Sequence, residues 1–195
     1  MGMIVVTVAL SAGPVISPSF SSALLGLTAY HAVDLGKGRV WRLVLSAFAA
    51  QSGVQFVWTV LMLMTVFVAV ERVVGSIGVL LISLGAHVIS TLMIDGLAYS
   101  WAWHSWLSQT DFGTSCLIMG TGMALLLATR SKLLAGALVV IVIGDGLLNS
   151  PMTVLEHLVA LLVGAATYLL VTHTHLHPNG DQTQVQPEAG LRLYV

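Results

Sequence analysis

Charge is scarce in this sequence. Only 8% of its 195 residues are Asp, Glu, Lys or Arg, against about 25% in an ordinary soluble domain. The densest basic group is Lys37, Arg39 and Arg42, too sparse for the charged footprint of a nucleic-acid-binding surface. Cysteine is confined to Cys116, so a disulfide within the chain and a thiolate zinc site are both excluded. Long polar stretches are missing apart from residues 173–195. A soluble enzyme domain, a disulfide scaffold and a nucleic-acid module are thereby set aside.

What fills the space is apolar. Hydrophobic residues make up 57% of the chain and the mean hydropathy is +0.95. Stretches of membrane-spanning length recur, at about 20 residues per span. The expected fold class is all-α: a polytopic transmembrane helix bundle of about six spans over residues 1–172, with a polar, disordered tail at 173–195. Spans are expected at 53–70, 73–98, 112–129, 133–143 and 151–172. The span at 73–98, third in the chain, carries small residues at Gly75, Gly78, Gly85 and Ala86. Pro151 suits a first helical turn. A first span is expected within 1–16 or 19–33, or as one broken helix interrupted at Pro14 and Pro18. With no basic residue ahead of the apolar run, a retained span is favoured over a signal peptide.

Basic residues divide almost evenly between the two sides and say little about orientation. The segments 99–111 and 145–151 contain no Lys or Arg and are expected outside, which leaves both termini cytoplasmic.

Two polar residues then fall at matching depth. Ser115 lies in the first turn of the fourth span, and His157 lies one to two turns into the sixth. Both spans start at the same face, and a helix rises 1.5 Å per residue, so their depths differ by only a few ångströms. A serine hydroxyl is a weak nucleophile until a base within about 3 Å takes its proton, and neutral histidine suits that task near pH 7. Small residues that let transmembrane helices approach closely surround the pair: Gly113, Gly120 and Ala124 on the fourth span, Ala160 and Gly164 on the sixth.

Other polar residues have simpler readings. Asp95, Asp111, Asp145 and Glu156 lie near expected outer ends, where hydration makes charge cheap and helix termination accounts for them. Glu71 and Arg72, followed by Gly75, read as a tight junction in which the carboxylate caps or pairs across the loop. His173, His175 and His177 alternate, but without further convergent ligands no metal site is expected. Tyr99, Trp101, Trp103, His104 and Trp106 read as an interfacial aromatic belt.

Four of these pieces, taken in order, resemble the rhomboid family of intramembrane serine proteases. The segment Gly38-Arg39-Val40-Trp41-Arg42-Leu43-Val44, followed by Ser46-Ala47-Phe48, is similar to the family's loop leading into the second span. Glu71-Arg72-Val73-Val74-Gly75 matches its E-R-x-x-G junction. Gly113-Thr114-Ser115-Cys116 with Gly120 is similar to the G-x-S-G nucleophile motif, and His157 with Ala160 and Gly164 to the H-x-x-G-x-x-x-G motif. The likeness covers roughly residues 38–172.

The resemblance implies a six-helix bundle in which Ser115 is the nucleophile and His157 the general base. Transmembrane protein substrates would be cut near the outer face, without metal, ATP or other cofactor. The expected setting is the lipid bilayer of a bacterial inner membrane. The backbone N–H of Ser115 would help stabilise the oxyanion. Family enzymes often support that oxyanion with a histidine and an asparagine on the second span. Here those positions are Gln55 and Thr59. Cys116 replaces the second glycine and is expected to crowd the nucleophile's turn, while Ala160 is a milder change. The alternative to a protease is a relative that no longer cuts, but binds transmembrane segments and affects their folding or turnover. An unrelated transporter would need a chain of buried charges that the sequence does not offer.

Overall fold

In lipid, every backbone N–H and C=O must find its partner within the protein, which leaves the helix as the natural local structure for apolar segments. A computed structural model describes residues 9, 12, 16–50, 52–111 and 113–176. Among them lie nine α-helices in chain order: α1 (Pro18–Thr28), α2 (Val33–Gly36), α3 (Val40–Ser46), α4 (Gly53–Met62), α5 (Val68–Ser100), α6 (His104–Leu107), α7 (Thr114–Thr129), α8 (Lys132–Leu148) and α9 (Pro151–Leu176). The turn Leu63–Phe67 between α4 and α5 is π-helical.

Two apolar stretches reach membrane-spanning length, Gly53–Ser100 and Pro151–Thr174. Leucines at the ends of α8 and valines and isoleucines along α4, α5 and α8 remain exposed, Leu133 at 85% and Val54 at 83%. Apolar surface on that scale belongs against lipid. The molecule is an integral membrane protein. The helices α1, α7 and α8 are shorter, at 11, 16 and 17 residues. The expected first span within 1–16 falls almost wholly outside the described residues, as does most of the expected tail.

The stretch Gly53–Ser100 has 48 residues, or about 72 Å at 1.5 Å per residue, more than twice the ~30 Å hydrocarbon thickness. It breaks at Gly75, where φ is 75° and ψ 171°. That left-handed φ is costly for any residue with a Cβ. The expected stop at Glu71-Arg72 is therefore three residues early: the helix runs through the charged pair and turns at the glycine. The Ser76 hydroxyl donates to the Glu71 carboxylate across the break. Core residues from both arms meet, with Leu63, Phe67 and Val70 in one cluster with Val79 and Ile82.

Other ends follow their capping chemistry. Ser17 and Ser52 accept from the amides of Phe20 and Gln55 at the starts of α1 and α4, both at 3.2 Å, and Ser150 accepts from the Thr153 amide ahead of α9. Arg130 ends α7 in the left-handed region, at φ 53°. Two ends differ from expectation. The helix α8 continues through Gly144-Asp145-Gly146, and α9 continues past Thr172 to Leu176. Glycine breaks a helix in water because exposed backbone finds other partners; an apolar environment removes those partners.

The centre of the bundle is α5, α7 and α9 packed on one another. Their contact is close because side chains are absent where they cross. A Cβ on Gly164 would overlap the Gly120 backbone, and one on Gly120 would overlap Ala86. Around this centre, residues 29–50 fold down onto the α5 end that bears Asp95, with Tyr30, Ala47, Ala49 and Ala50 all at 1% exposure or less. Asp34 pins that segment. It accepts from Arg42 at 3.2 Å and from the His31 amide at 3.2 Å, with Arg39 3.5 Å away. Burial works against its charge, but the Arg42 and His31 hydrogen bonds outweigh it and hold the carboxyl below its ordinary value of 3.8.

Two predictions follow from this packing. Gly164→Ala should destabilise the bundle by at least ~1–3 kcal/mol through overpacking against Gly120, read as a lower unfolding midpoint in detergent or bilayer. A carboxyl depressed on folding contributes stability above its unfolded value and loses it as pH falls through its folded value. The stability gap between the parent and Asp34→Asn should therefore be full from pH 5 to 7 and close below about pH 4.

Candidate functional site

The helices α7 and α9 run parallel, each starting at the end of the bundle covered by residues 29–50. Measured along the axes from the Gly120–Gly164 crossing, Ser115 and His157 stand about 7.5 and 10.5 Å toward that end. They meet in a cavity of ≈180 Å³ lined by Gln55, Trp58, Thr59, Thr114, Ser115, Ile118, Met119, Ile141 and His157. All four residues singled out in sequence for chemistry or oxyanion support thus face one space. Ser115 is partly exposed, while His157 is 4% exposed.

Thr59 differs from five other helical threonines. Thr28, Thr65, Thr121, Thr129 and Thr172 each donate to the carbonyl four residues earlier, the usual way a helix satisfies a hydroxyl. Thr59 is 1% exposed, yet its hydroxyl has no hydrogen-bond partner among the described residues. A buried donor left unspent costs free energy, and here it lies on the wall of the cavity that holds Ser115.

Small residues pack around Ser115 and His157, and one expectation is corrected. Gly113 caps α7 and is buried against the ring of His87, leaving no room for a Cβ. Ala160 is fully buried, and its carbonyl faces Gly120. Cys116 does not crowd Ser115. Its side chain packs with Ala86, Met119, Leu138 and Ala160, and it lines neither cavity that Ser115 borders. One residue along a helix is a 100° rotation, which turns position 116 into the core when 115 faces the cavity.

The acidic residues depart further from expectation. A second cavity, of ≈160 Å³, shares Ser115 and Gln55 with the first and adds Tyr30, Asp95, Trp106, Asp111 and Glu156. Glu156 is 3% exposed and Asp95 9%, so they are not hydrated helix ends. Protein donors reach both carboxyl groups. Asp95 accepts from the Tyr30 hydroxyl at 2.7 Å and from the Trp106 indole N–H at 3.1 Å, and Glu156 accepts from the Thr91 hydroxyl at 2.7 Å. Burial and the Asp95 contact push the Tyr30 phenol well above its ordinary value, so it stays a donor. Asp111 ties in through its amide, which donates to the Tyr30 carbonyl at 2.8 Å. Asp145 lies in α8, its side chain outside those described.

His87 and Thr91 were not singled out in sequence. The signal was there: Ser83, His87, Thr91 and Asp95 recur every four residues, a polar stripe on one face of an otherwise apolar helix. All four are buried.

Comparison with known proteins agrees with the sequence motifs. Among curated proteins none matches the chain. A family model described as "Rhomboid-like protein" matches residues 1–177, a stretch that includes every site residue named above. The chain belongs to the rhomboid-like protein family.

Proposed function

We propose that the protein is an intramembrane serine endopeptidase that hydrolyses peptide bonds of transmembrane protein substrates. What carries the reading is the cavity in which Ser115, His157, Gln55 and Thr59 meet, with the Thr59 hydroxyl buried and unspent. His157 takes the Ser115 proton as the hydroxyl attacks the carbonyl carbon, then returns it to the departing amine. The oxyanion receives the Ser115 backbone N–H, with Thr59 and the Gln55 amide as further donors. A hydroxyl that spends nothing on the resting fold suits a group needed only when negative charge develops. Water enters from the end capped by residues 29–50, which this reading places at the extracytoplasmic face of a six-helix bundle.

The reading is tested by covalent labelling in native membranes with a serine-directed phosphonate, located by mass spectrometry. Label is expected on Ser115 in the parent and absent in Ser115→Ala and His157→Ala. No label on folded parent, with a small and a bulky probe alike, would favour a relative that binds transmembrane segments without cutting them.

Thr59→Val gives a sharper prediction. It removes a hydroxyl that bonds nothing among the described residues, so the unfolding midpoint should stay level or rise slightly. The labelling rate should nevertheless fall about a hundredfold, the scale of losing one oxyanion donor. A midpoint that falls with an unchanged rate would assign Thr59 to packing alone.

A further inference from the structure

The polar stripe on α5 reaches both helices that carry the reacting groups. His87 is fully buried. Its Nε2 lies 2.7 Å from the Leu43 carbonyl, which only accepts, so Nε2 carries the proton and donates. The Thr91 hydroxyl oxygen packs 3.4 Å from Nδ1, its one hydrogen going elsewhere. The ring occupies the space beside Gly113, with Cε1 and Nδ1 nearest to where a Cβ would stand. One turn along α5, the Thr91 hydroxyl donates to Glu156 at 2.7 Å, with Asp111 at 3.4 Å.

Both contacts land next to the reacting groups in sequence. Gly113 precedes Ser115 by two residues, and Glu156 immediately precedes His157. The helix α5 is held in turn by Leu43 of α3 through His87. A rigid element thus touches α7 and α9 near their first turns, where the cavity opens and the glycine crossing no longer constrains them.

We propose that His87 and Thr91 are positioning residues: together they form a strut on α5 that sets Ser115 on α7 and His157 on α9 in register across the cavity. The inference rests on the serine-peptidase reading for its catalytic consequence, but not for its structural one. Neither residue touches the cavity that holds the pair. Both act through their neighbours.

The strut is tested with Thr91→Val, which keeps the shape and removes the hydroxyl, Thr91→Ser, which keeps the hydroxyl, and Glu156→Gln, whose amide oxygen still accepts from Thr91. Phosphonate labelling is followed against probe concentration, separating the saturating rate from the concentration at half-saturation. Thr91→Val is expected to lower the saturating rate about 10- to 100-fold, as a small misplacement of reacting groups does, with half-saturation unchanged. Thr91→Ser and Glu156→Gln should stay near the parent. A parental rate in Thr91→Val, or a loss that serine fails to rescue, overturns the proposal, as does equal loss in Glu156→Gln.

Amide hydrogen exchange in lipid nanodiscs supplies a readout that needs no activity. Thr91→Val should speed exchange in the first turns of both α7 and α9 and leave the turn around Gly164 unchanged, with Thr91→Ser like the parent. Unchanged exchange at those first turns overturns the strut even if Ser115 is never labelled. A parent that takes no label, with exchange altered as expected, refutes the peptidase and leaves the strut standing.

Discussion

Everything in this bundle is arranged around one contact, the backbone of α7 against the backbone of α9 at Gly120 and Gly164. In lipid, burying apolar side chains gives helices little reason to associate, so close packing and hydrogen bonds must do it. Two glycines facing each other allow the closest approach a pair of helices can make, and Ala86 of α5 closes the third side. Because α8 carries the chain back across, α7 and α9 run in the same direction from that crossing. Ser115 and His157 therefore stand at similar heights above it. The cavity between them is the gap that remains as the helices separate.

The acidic end of the bundle solves a different problem. Buried carboxyl groups are expensive unless every oxygen finds a donor. Here the donors come from three directions: Tyr30 from the segment after α1, Trp106 from the short α6, and Thr91 from α5. The segment 29–50 is thus more than a connection. It brings Tyr30 to Asp95 and the Leu43 carbonyl to His87, while the Thr114 hydroxyl donates to the Ala49 carbonyl at 2.9 Å. Asp34, holding Arg42, keeps that segment folded. A polar compartment is thereby built into an apolar molecule, beside the serine and screened from lipid.

Much of this was legible in the sequence, for reasons particular to each feature. The charged pair Glu71-Arg72 and Gly75 marked a turn because positive φ and a terminal carboxylate are local requirements. Ser115, His157 and their small neighbours were legible because helical rise converts sequence spacing directly into depth. The burial of Glu156 and Asp95 was not. A helix-end acid reads as hydrated until one knows that Tyr30 and Trp106, distant in sequence, fold over it. The ends of α8 and α9 were misplaced for a related reason, since glycine and histidine stop helices in water but need not do so beside lipid or packed helices. Cys116 was misjudged as crowding by its sequence neighbour, when a 100° step sends it into the core.

The most direct test of the account is a structure of the protein in lipid after reaction with a small phosphonate. The expected electron density has phosphorus bonded to Ser115 Oγ, His157 beside it across the same cavity, and the phosphonyl oxygen within hydrogen-bond distance of the Thr59 hydroxyl. An unmodified Ser115, or an adduct whose oxygen points away from Thr59 with α7 and α9 parted at Gly120 and Gly164, would contradict it.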